Sequence, residues 1–146
     1  MPNHCYQAVH IKGPRALVHE LYHNLQRKEP RFCDVVLPVP FAYSTGMAGY
    51  DWRVDHWDTK WDVADVEITD DIHYSETVHA GNFGFSAWFS FRCWTAWGPP
   101  ILVWDALYAL GIEVEADYQD EGEMFAGEYQ HGENKSWVPT DEKESA

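Results

Sequence analysis

The chain is poor in cysteine and has no long apolar run. Its 146 residues include three cysteines, Cys5, Cys33 and Cys93, and no two of them form a CxxC pair. An odd number of widely spaced cysteines does not indicate a disulfide framework, so we expect buried, reduced thiols. A transmembrane helix needs roughly 18 consecutive apolar residues, and the sequence has no such stretch. The opening residues have neither the charged start nor the apolar run of a signal peptide, and we expect a cytoplasmic protein.

Basic residues are also scarce. The chain carries 10 Lys and Arg against 24 Asp and Glu, for a net charge of −14. Residues 1–60 hold seven basic and six acidic side chains, whereas residues 61–146 hold three basic and eighteen acidic ones. Contacts to phosphates need clustered Lys and Arg, so direct nucleic-acid binding is not expected. The acidic half either keeps a small protein in solution or forms a patch for a basic partner, such as one that normally binds nucleic acid.

Aromatic and aliphatic residues, by contrast, are plentiful. The hydrophobic content of 45% includes eight Trp, eight Tyr and seven Phe, which is typical of a packed core and not of a disordered chain. The length suits one domain of about 100–150 residues. We predict a single domain over residues 1–140 and a polar, frayed tail over residues 141–146.

The pattern of apolar residues predicts strands alternating with two helices. Period-two alternation predicts strands over 5–11, 61–69, 83–91 and 112–118, with further short strands over 32–37 and 125–130. A helix is expected between Pro14 and Pro30, and a second from Ile101 to Leu110. Residues 41–50 are expected to form a loop, and Asp70-Asp71 a turn. This order predicts an α+β fold with an antiparallel sheet and two helices on one face.

The same alternation places acidic side chains on the side of the sheet away from the apolar residues. We predict that five of them contribute to an acidic, open sheet face: Asp65, Glu67, Glu113, Glu115 and Asp117.

Residues 19–23 read HELYH, a match to the HExxH zinc motif. In that motif two histidines on one helix face hold Zn²⁺, and the glutamate activates a water molecule. Here the apolar stripe of the predicted helix leaves His19 and His23 on the solvent side, and no motif indicates a third ligand. We therefore expect no cofactor, with zinc bound at His19 and His23 as the alternative.

The tryptophans allow two interpretations. They could stack nucleobases or a ligand, or they could pack in the core and under loops, which is the interpretation we favour. The residues concerned are Trp52, Trp57, Trp61, Trp94, Trp97 and Trp104. Lys60 lies among them in sequence, and it could pair with Asp58 or Asp62 or contact an aromatic ring.

Four segments in order resemble the YubB-type ferredoxin-like domain family, small proteins carried by plasmids and phages. The start reads MPNHCYQAVHIKG, similar to the family's M-P-N-W-C-x-N-x-L-x-I-x-G, and FCDVVLPVP is similar to F-x-F-x-x-I-x-P-x-P. The central stretch is YDWRVDHWDTKWDVADVEI, similar to W-x-x-x-N-W-G-T-K-W-D/N-A. The last segments are FRCWTAWGPPILVWDAL and EGEMFAGEYQHG, similar to T-A-W-S-P-P and G-x-x-F-x-G-x-Y.

The chain departs from the family pattern at four positions and keeps its central motif. His4 replaces Trp, Gln7 replaces Asn, Asp58 replaces Gly, and Gly98 replaces Ser. The retained motif residues, which we expect to form a shared cluster or small site, are Trp57, Thr59, Lys60, Trp61 and Trp97 with Pro99. The resemblance implies the ferredoxin-like fold and an origin in a mobile element, and it supplies no catalytic residues.

These observations predict a non-enzymatic accessory protein of a phage or plasmid. It would act in the host cytoplasm, away from the membrane, by binding a host or phage macromolecule through its acidic surface, in host takeover or inhibition of defence. One alternative is a zinc-dependent hydrolase that uses His19, Glu20 and His23. A third interpretation is a binder of single-stranded nucleic acid that uses the tryptophan cluster.

Overall fold

A computed structural model describes residues 4–43, 46–79 and 82–139, with side chains for all of these except 75–79 and 82–85. The tail expected over 141–146 lies outside the described residues. In chain order the elements are β1 (His4–Pro14), α1 (Arg15–Leu25), α2 (Cys33–Val36), a 3₁₀ turn (Phe41–Tyr43), α3 (Gly46–Trp57), β2 (Ala64–His79), β3 (Asn82–Ala96), α4 (Ile101–Ala109), β4 (Glu113–Asp120), β5 (Ala126–Gln130) and β6 (Glu133–Trp137).

The strands form one antiparallel sheet in the order β2-β3-β1-β4-β5-β6. Along β1 every second side chain is buried, as its alternation predicts. Helix α1 packs on that buried face through Val18, Leu21 and Leu25, and α4 does so through Val103 and Leu107. The predicted α+β class with an antiparallel sheet is therefore confirmed. The described residues contain six strands and four α-helices, where two helices were expected.

The segment predicted as a strand over residues 32–37 is instead the short helix α2. Three backbone N–H groups at its start donate to the carboxylate of Asp62 at 2.9–3.2 Å: that of Phe32, the residue before the helix, and those of Cys33 and Asp34. Unpaired N–H groups at a helix start need such acceptors, and here one remote side chain supplies them. The local alternation of this segment favours a strand, but hydrogen bonds to Asp62, a residue far along the chain, stabilise a helix instead.

The loop predicted over residues 41–50 is also wrong, because α3 begins at Gly46 and continues into the tryptophan-rich stretch. Its apolar residues do not form a regular stripe, and it contains two glycines. The helix is held by its last residue, Trp57, which is buried in the core and whose indole N–H donates to the carbonyl of Leu37 at 2.8 Å. Periodicity could not reveal this helix, because contacts with distant residues leave no regular apolar pattern in the sequence.

Strand β2 runs through the expected turn at Asp70-Asp71 and ends at His79, so that turn prediction is wrong. Three register shifts between Ala64 and His73 take up the extra residues. Strand β6 was not predicted, since its five side chains are mostly exposed and polar. It pairs with β5 and extends the sheet by one strand.

All three cysteines are buried and free, as predicted. Burial raises the pKa of the Cys5 thiol to about 12. Burial and the nearby Asp62 carboxylate also raise the pKa values of Cys33 and Cys93. Because the thiolate is the nucleophile, none of the three is suited to thiol chemistry near neutral pH.

Candidate functional site

One face of the sheet is covered by no helix of the described residues, and its side chains form rows across the strands. In antiparallel pairs, directly opposed residues lie on the same face. One row contains Glu67, Arg92, Ala8, Asp117, Glu128 and Lys135. The next row contains Asp70, Ser90, His10, Glu115, Gln130 and Glu133. We call this surface the open face.

The small side chain of Ala8 leaves a depression of about 350 Å³ in the middle of the open face. Glu115, Asp117 and Glu128 lie along one side of this depression. Asp117 on β4 is directly opposite Glu128 on β5. Like charges directly opposed on a sheet destabilise the strand pair, so folding alone does not account for this arrangement.

Nearby basic groups neutralise only part of this surface. Glu128 has Lys135 as its register partner on β6, and His131 Nε2 lies 3.4 Å from Glu115. Among the described residues, no ion pair involves Asp117. The acidic character of the depression therefore persists on the side formed by β4 and β5.

The five acidic residues predicted for one face are divided by the structure. Glu113, Glu115 and Asp117 are exposed on β4, as their alternation predicts. Glu67 lies three strand spacings away on β2, about 14 Å, and pairs with Arg92 at 2.6 Å. Asp65 lies at a register shift with a positive φ of 51° and lines a groove with basic residues that follow α1.

Glu128 is a further acidic residue beside the depression, and the sequence did not indicate that it would lie there. It belongs to β5, which was predicted as a strand, but local alternation does not say which strand is its neighbour. The pairing of β5 with β4 brings Glu128 beside Asp117. In the following sections, the acidic cluster means Glu115, Asp117 and Glu128.

His19 and His23 lie on the exposed side of α1, with ring centroids 4.4 Å apart. The Nδ1 atom of His19 is 2.8 Å from the hydroxyl of Tyr74. Within the described part of the chain, no group of three or more His, Cys, Asp or Glu side chains could hold a metal ion. The third protein ligand that a catalytic zinc needs is therefore not found among these residues.

The tryptophans divide into a buried pair and a partly exposed group. Trp57 and Trp104 are buried in the core, in agreement with the interpretation that we favoured. Trp94 and Trp61 are half-buried, and Trp97 is 41% exposed. Packing in the core therefore does not explain the partly exposed group.

Four of the partly exposed rings, Tyr6, Trp94, His4 and Trp61, form a continuous strip at one end of the open face. Tyr6 on β1 contacts Trp94 on β3 with ring centroids 5.2 Å apart. His4 lies 5.9 Å from Trp94 and 6.2 Å from Trp61. The strip thus extends from the centre of the sheet to the segment that follows α3.

At the end of this strip, three aromatic rings surround the ammonium group of Lys60. Nζ lies 5.6 Å from the ring centroid of Tyr50 and 5.5 Å from those of Trp61 and Trp97. Of the alternatives considered for Lys60, the structure shows the aromatic contact. Asp62 instead accepts hydrogen bonds from the α2 backbone.

Thr59 and Arg53 fix the backbone beside this lysine. The buried Thr59 hydroxyl donates to the carbonyl of Ala96 at 2.9 Å and accepts from its N–H at 3.1 Å. Arg53 Nε donates to the carbonyl of Lys60 at 2.6 Å. The predicted motif residues are therefore close together: Trp57 lies in the core, Thr59 is a structural link, and Lys60, Trp61 and Trp97 form a surface cluster.

No protein-family model matches the chain, and neither a curated protein nor a solved structure matches it. No helix in the described parts of the chain is both long enough and apolar enough to cross a membrane.

Proposed function

We propose that the protein is a non-enzymatic interaction module that binds a basic macromolecule through the open face of its sheet. The observation that carries this proposal is the acidic cluster beside the central depression, where Asp117 and Glu128 are directly opposed. Complementary charge speeds the association of two proteins and favours some partners over others. The excess of negative charge on this uncovered sheet face would act in this way on a basic partner. A protein that normally binds nucleic acid has the basic surface that this face would select.

The strand order supports the narrower proposal of a ferredoxin-like unit. Strands β1 to β4 with α1 and α4 follow the chain order strand, helix, strand, strand, helix, strand, and they lie in the sheet order β2-β3-β1-β4. The hairpin of β5 and β6 would then be an extension that enlarges the open face.

One backbone angle supports the proposed relationship to the YubB-type family, and with it a phage or plasmid origin. Asp58 occupies the position where the family pattern has glycine, and its φ is +64°. Glycine adopts this left-handed region without steric cost. The use of such a protein in host takeover or inhibition of defence is part of this proposal.

A matched pair of triple variants tests binding by the open face. The first variant carries Glu115→Lys, Asp117→Lys and Glu128→Lys. The control carries Glu20→Lys, Glu29→Lys and Asp55→Lys, all exposed on the helical side or the segments around it, and it changes the net charge equally. The probe is a ten-residue lysine-rich peptide, with binding measured by titration calorimetry.

We expect the open-face variant to lose at least tenfold in affinity for the peptide, and the control to lose less than threefold. Equal losses in the two variants would show that only net charge matters and would contradict the proposal. A host protein captured from lysate supports the proposal only if the control retains it and the open-face variant does not.

A second candidate function, binding of single-stranded nucleic acid, is favoured by one observation. Tyr6 and Trp94 are half-buried and lie on β1 and β3, the two inner strands of the four-stranded unit β2-β3-β1-β4, where aromatic rings can stack bases. A gel-shift experiment with a single-stranded oligonucleotide at low salt decides this candidate. A shift that is lost in a Trp94→Ala variant would support it, and no shift at low salt would exclude it.

A further inference from the structure

The three rings around Lys60 come from separate parts of the chain. Tyr50 belongs to α3, Trp61 follows that helix, and Trp97 follows β3. All three centroids lie within the distance of about 6 Å at which a ring attracts a cation, and the values are 5.5–5.6 Å. Cages of this kind recognise alkylammonium groups. We call these three rings the aromatic cage.

The backbone of Trp97 is arranged in a way that exposes its indole. Its φ is +72°, a left-handed value that is an outlier for a bulky side chain. The Thr95 hydroxyl donates to the carbonyl of Gly98 at 2.6 Å, and Gly98 N–H donates to the carbonyl of Ala96 at 2.9 Å. Because Trp97 remains 41% exposed, this conformation does not serve burial. It holds the ring as one wall of the cage, and strain of this kind is concentrated at functional sites.

The main chain at Lys60 is held in place by hydrogen bonds of Thr59 and Arg53. Displacement of the ammonium group from the cage is therefore a movement of the lysine side chain. No carboxylate of the described residues forms an ion pair with Nζ. The lysine is therefore retained by the rings, and another cation can compete for them.

The cage lies at the end of the aromatic strip that begins on the open face. From Tyr6 the rings follow in contact through Trp94 and His4 to Trp61. Tyr6 is two residues along β1 from Ala8, which lines the acidic depression. A basic segment lying on the acidic cluster can thus extend along the strip to the cage.

We propose that Tyr50, Trp61 and Trp97 form a binding site for an alkylammonium group, the lysine side chain of a basic partner, and that Lys60 fills this site in the free protein. The identity of the partner rests on the proposed function, whereas the affinity of the cage for a cation does not. Lys60 then acts as an internal competitor, which a partner lysine displaces on docking.

Choline tests the cage without any partner protein. In a Lys60→Ala variant we expect choline to bind at least tenfold more tightly than in the unmutated protein, with shifts of the Trp61 and Trp97 indole N–H signals in NMR spectra. The neutral analogue 3,3-dimethylbutan-1-ol has the same shape without the charge, and it should bind at least tenfold more weakly than choline. Choline binding no tighter than in the unmutated protein, or equal binding of the alcohol, would overturn the proposal.

Lys12→Ala is the matched control, since among the described residues Lys12 Nζ lies over a single ring, that of Trp88, at 5.7 Å. Removal of this lysine should create no choline site, and a site of equal affinity would show that a single ring suffices and contradict the cage. Lys60→Met fills the space without charge, and it should bind choline no better than the unmutated protein.

Reductive methylation of the unmutated protein keeps the proposal testable if Lys60→Ala does not fold. Lys60 should be methylated more slowly than Lys12 and Lys28. In a Trp97→Leu variant, Lys60 should be methylated as fast as these two lysines. An unmutated Lys60 that reacts as fast as the others would overturn the proposal.

The link to a partner has its own test with the lysine-rich peptide. Trp97→Leu should lower its affinity about fivefold without changing the salt dependence, because no charge is removed. In the open-face variant, by contrast, peptide affinity should depend less on salt, because acidic side chains have been replaced. Loss of peptide binding only in the open-face variant would leave the proposed function intact and contradict the role of the cage in partner binding.

Discussion

The carboxylate of Asp62 accepts hydrogen bonds from four backbone N–H groups: those of Cys33 and Asp34 in α2, that of Phe32 directly before the helix, and that of Val63. Hydrogen bonds to a charged acceptor contribute more than neutral ones, and each buried donor left unpaired costs about 1–3 kcal/mol. We expect Asp62→Ala to lower the free energy of unfolding by about 3 kcal/mol, measured by urea denaturation.

The control for this prediction is Asp51→Ala on the exposed side of α3. It should change the free energy of unfolding by less than about 0.5 kcal/mol, as is usual for surface substitutions. If Asp62→Ala lowered the free energy of unfolding by no more than Asp51→Ala does, the role of Asp62 in holding α2 would be contradicted.

Asp58 combines a left-handed backbone with an unfavourable charge. Its φ is +64°, and burial raises the pKa of its carboxyl above the ordinary value of 3.8. Left-handed geometry costs an L-residue about 1–2 kcal/mol. Glycine loses part of that gain through the entropy of the unfolded chain, and through loss of the hydrogen bond between the Asp58 carboxyl and the Leu102 backbone. We expect Asp58→Gly to raise the free energy of unfolding at pH 7 by about 0.5 kcal/mol, measured by urea denaturation.

The pH dependence of this effect has a definite sign. Because the folded-state pKa is the higher one, the folded protein holds the proton more tightly, and ionisation of Asp58 lowers stability as pH rises from about 4. The advantage of Asp58→Gly should therefore be larger at pH 7 than at pH 3.5. An advantage that is equal at both values, or larger in acid, would contradict this assignment.

Among the elements, those with a regular apolar pattern were predictable. The alternations of β1 and β4 and the stripe of α1 match their burial, because each buries one face against the same core. Helices α2 and α3 were missed because remote contacts stabilise them, Asp62 for α2 and the burial of Trp57 for α3. Such contacts leave no local periodicity in the sequence.

The hairpin of β5 and β6 depends on one glycine at its pairing with β4. A Cβ atom at Gly127 would overlap the hydroxyl of Tyr118 and the carbonyl of Lys135. Overpacking in a tight site costs about 1–3 kcal/mol. We expect Gly127→Ala to lower the free energy of unfolding by about 2–3 kcal/mol and to speed amide exchange in β5 and β6.

Gly98→Ala is the control for this element, because the nearest atom to its Cβ would be the Asp58 carbonyl oxygen at 3.7 Å. Its stability and amide exchange should stay close to those of the unmutated protein. Unchanged exchange in β5 and β6 of Gly127→Ala would show that the hairpin tolerates a side chain there.

For the molecule as a whole, composition predicted an acidic surface but not its arrangement. The charge excess after residue 60 was visible, and the exposed positions of Glu113, Glu115 and Asp117 followed from alternation. Their separation from Glu67 and their union with Glu128 depend on strand order, which local patterns do not encode. The aromatic cage depends equally on tertiary contacts, although its residues lie in motifs that the sequence singled out.

A net charge of −14 that includes directly opposed carboxylates gives salt two opposite effects on this protein. Raising ionic strength from 0.01 to 0.1 M shortens the screening length from about 30 to about 10 Å, which weakens repulsion within the acidic surface and attraction to a basic partner alike. Over that range we expect Tm to rise by several degrees, while the affinity for the lysine-rich peptide falls at least tenfold. Thermal melts and calorimetric titrations in the same buffers measure both. A Tm that falls with salt would mean that ion pairs such as Glu67 with Arg92 outweigh the repulsion, and a salt-independent affinity would contradict binding by the acidic cluster.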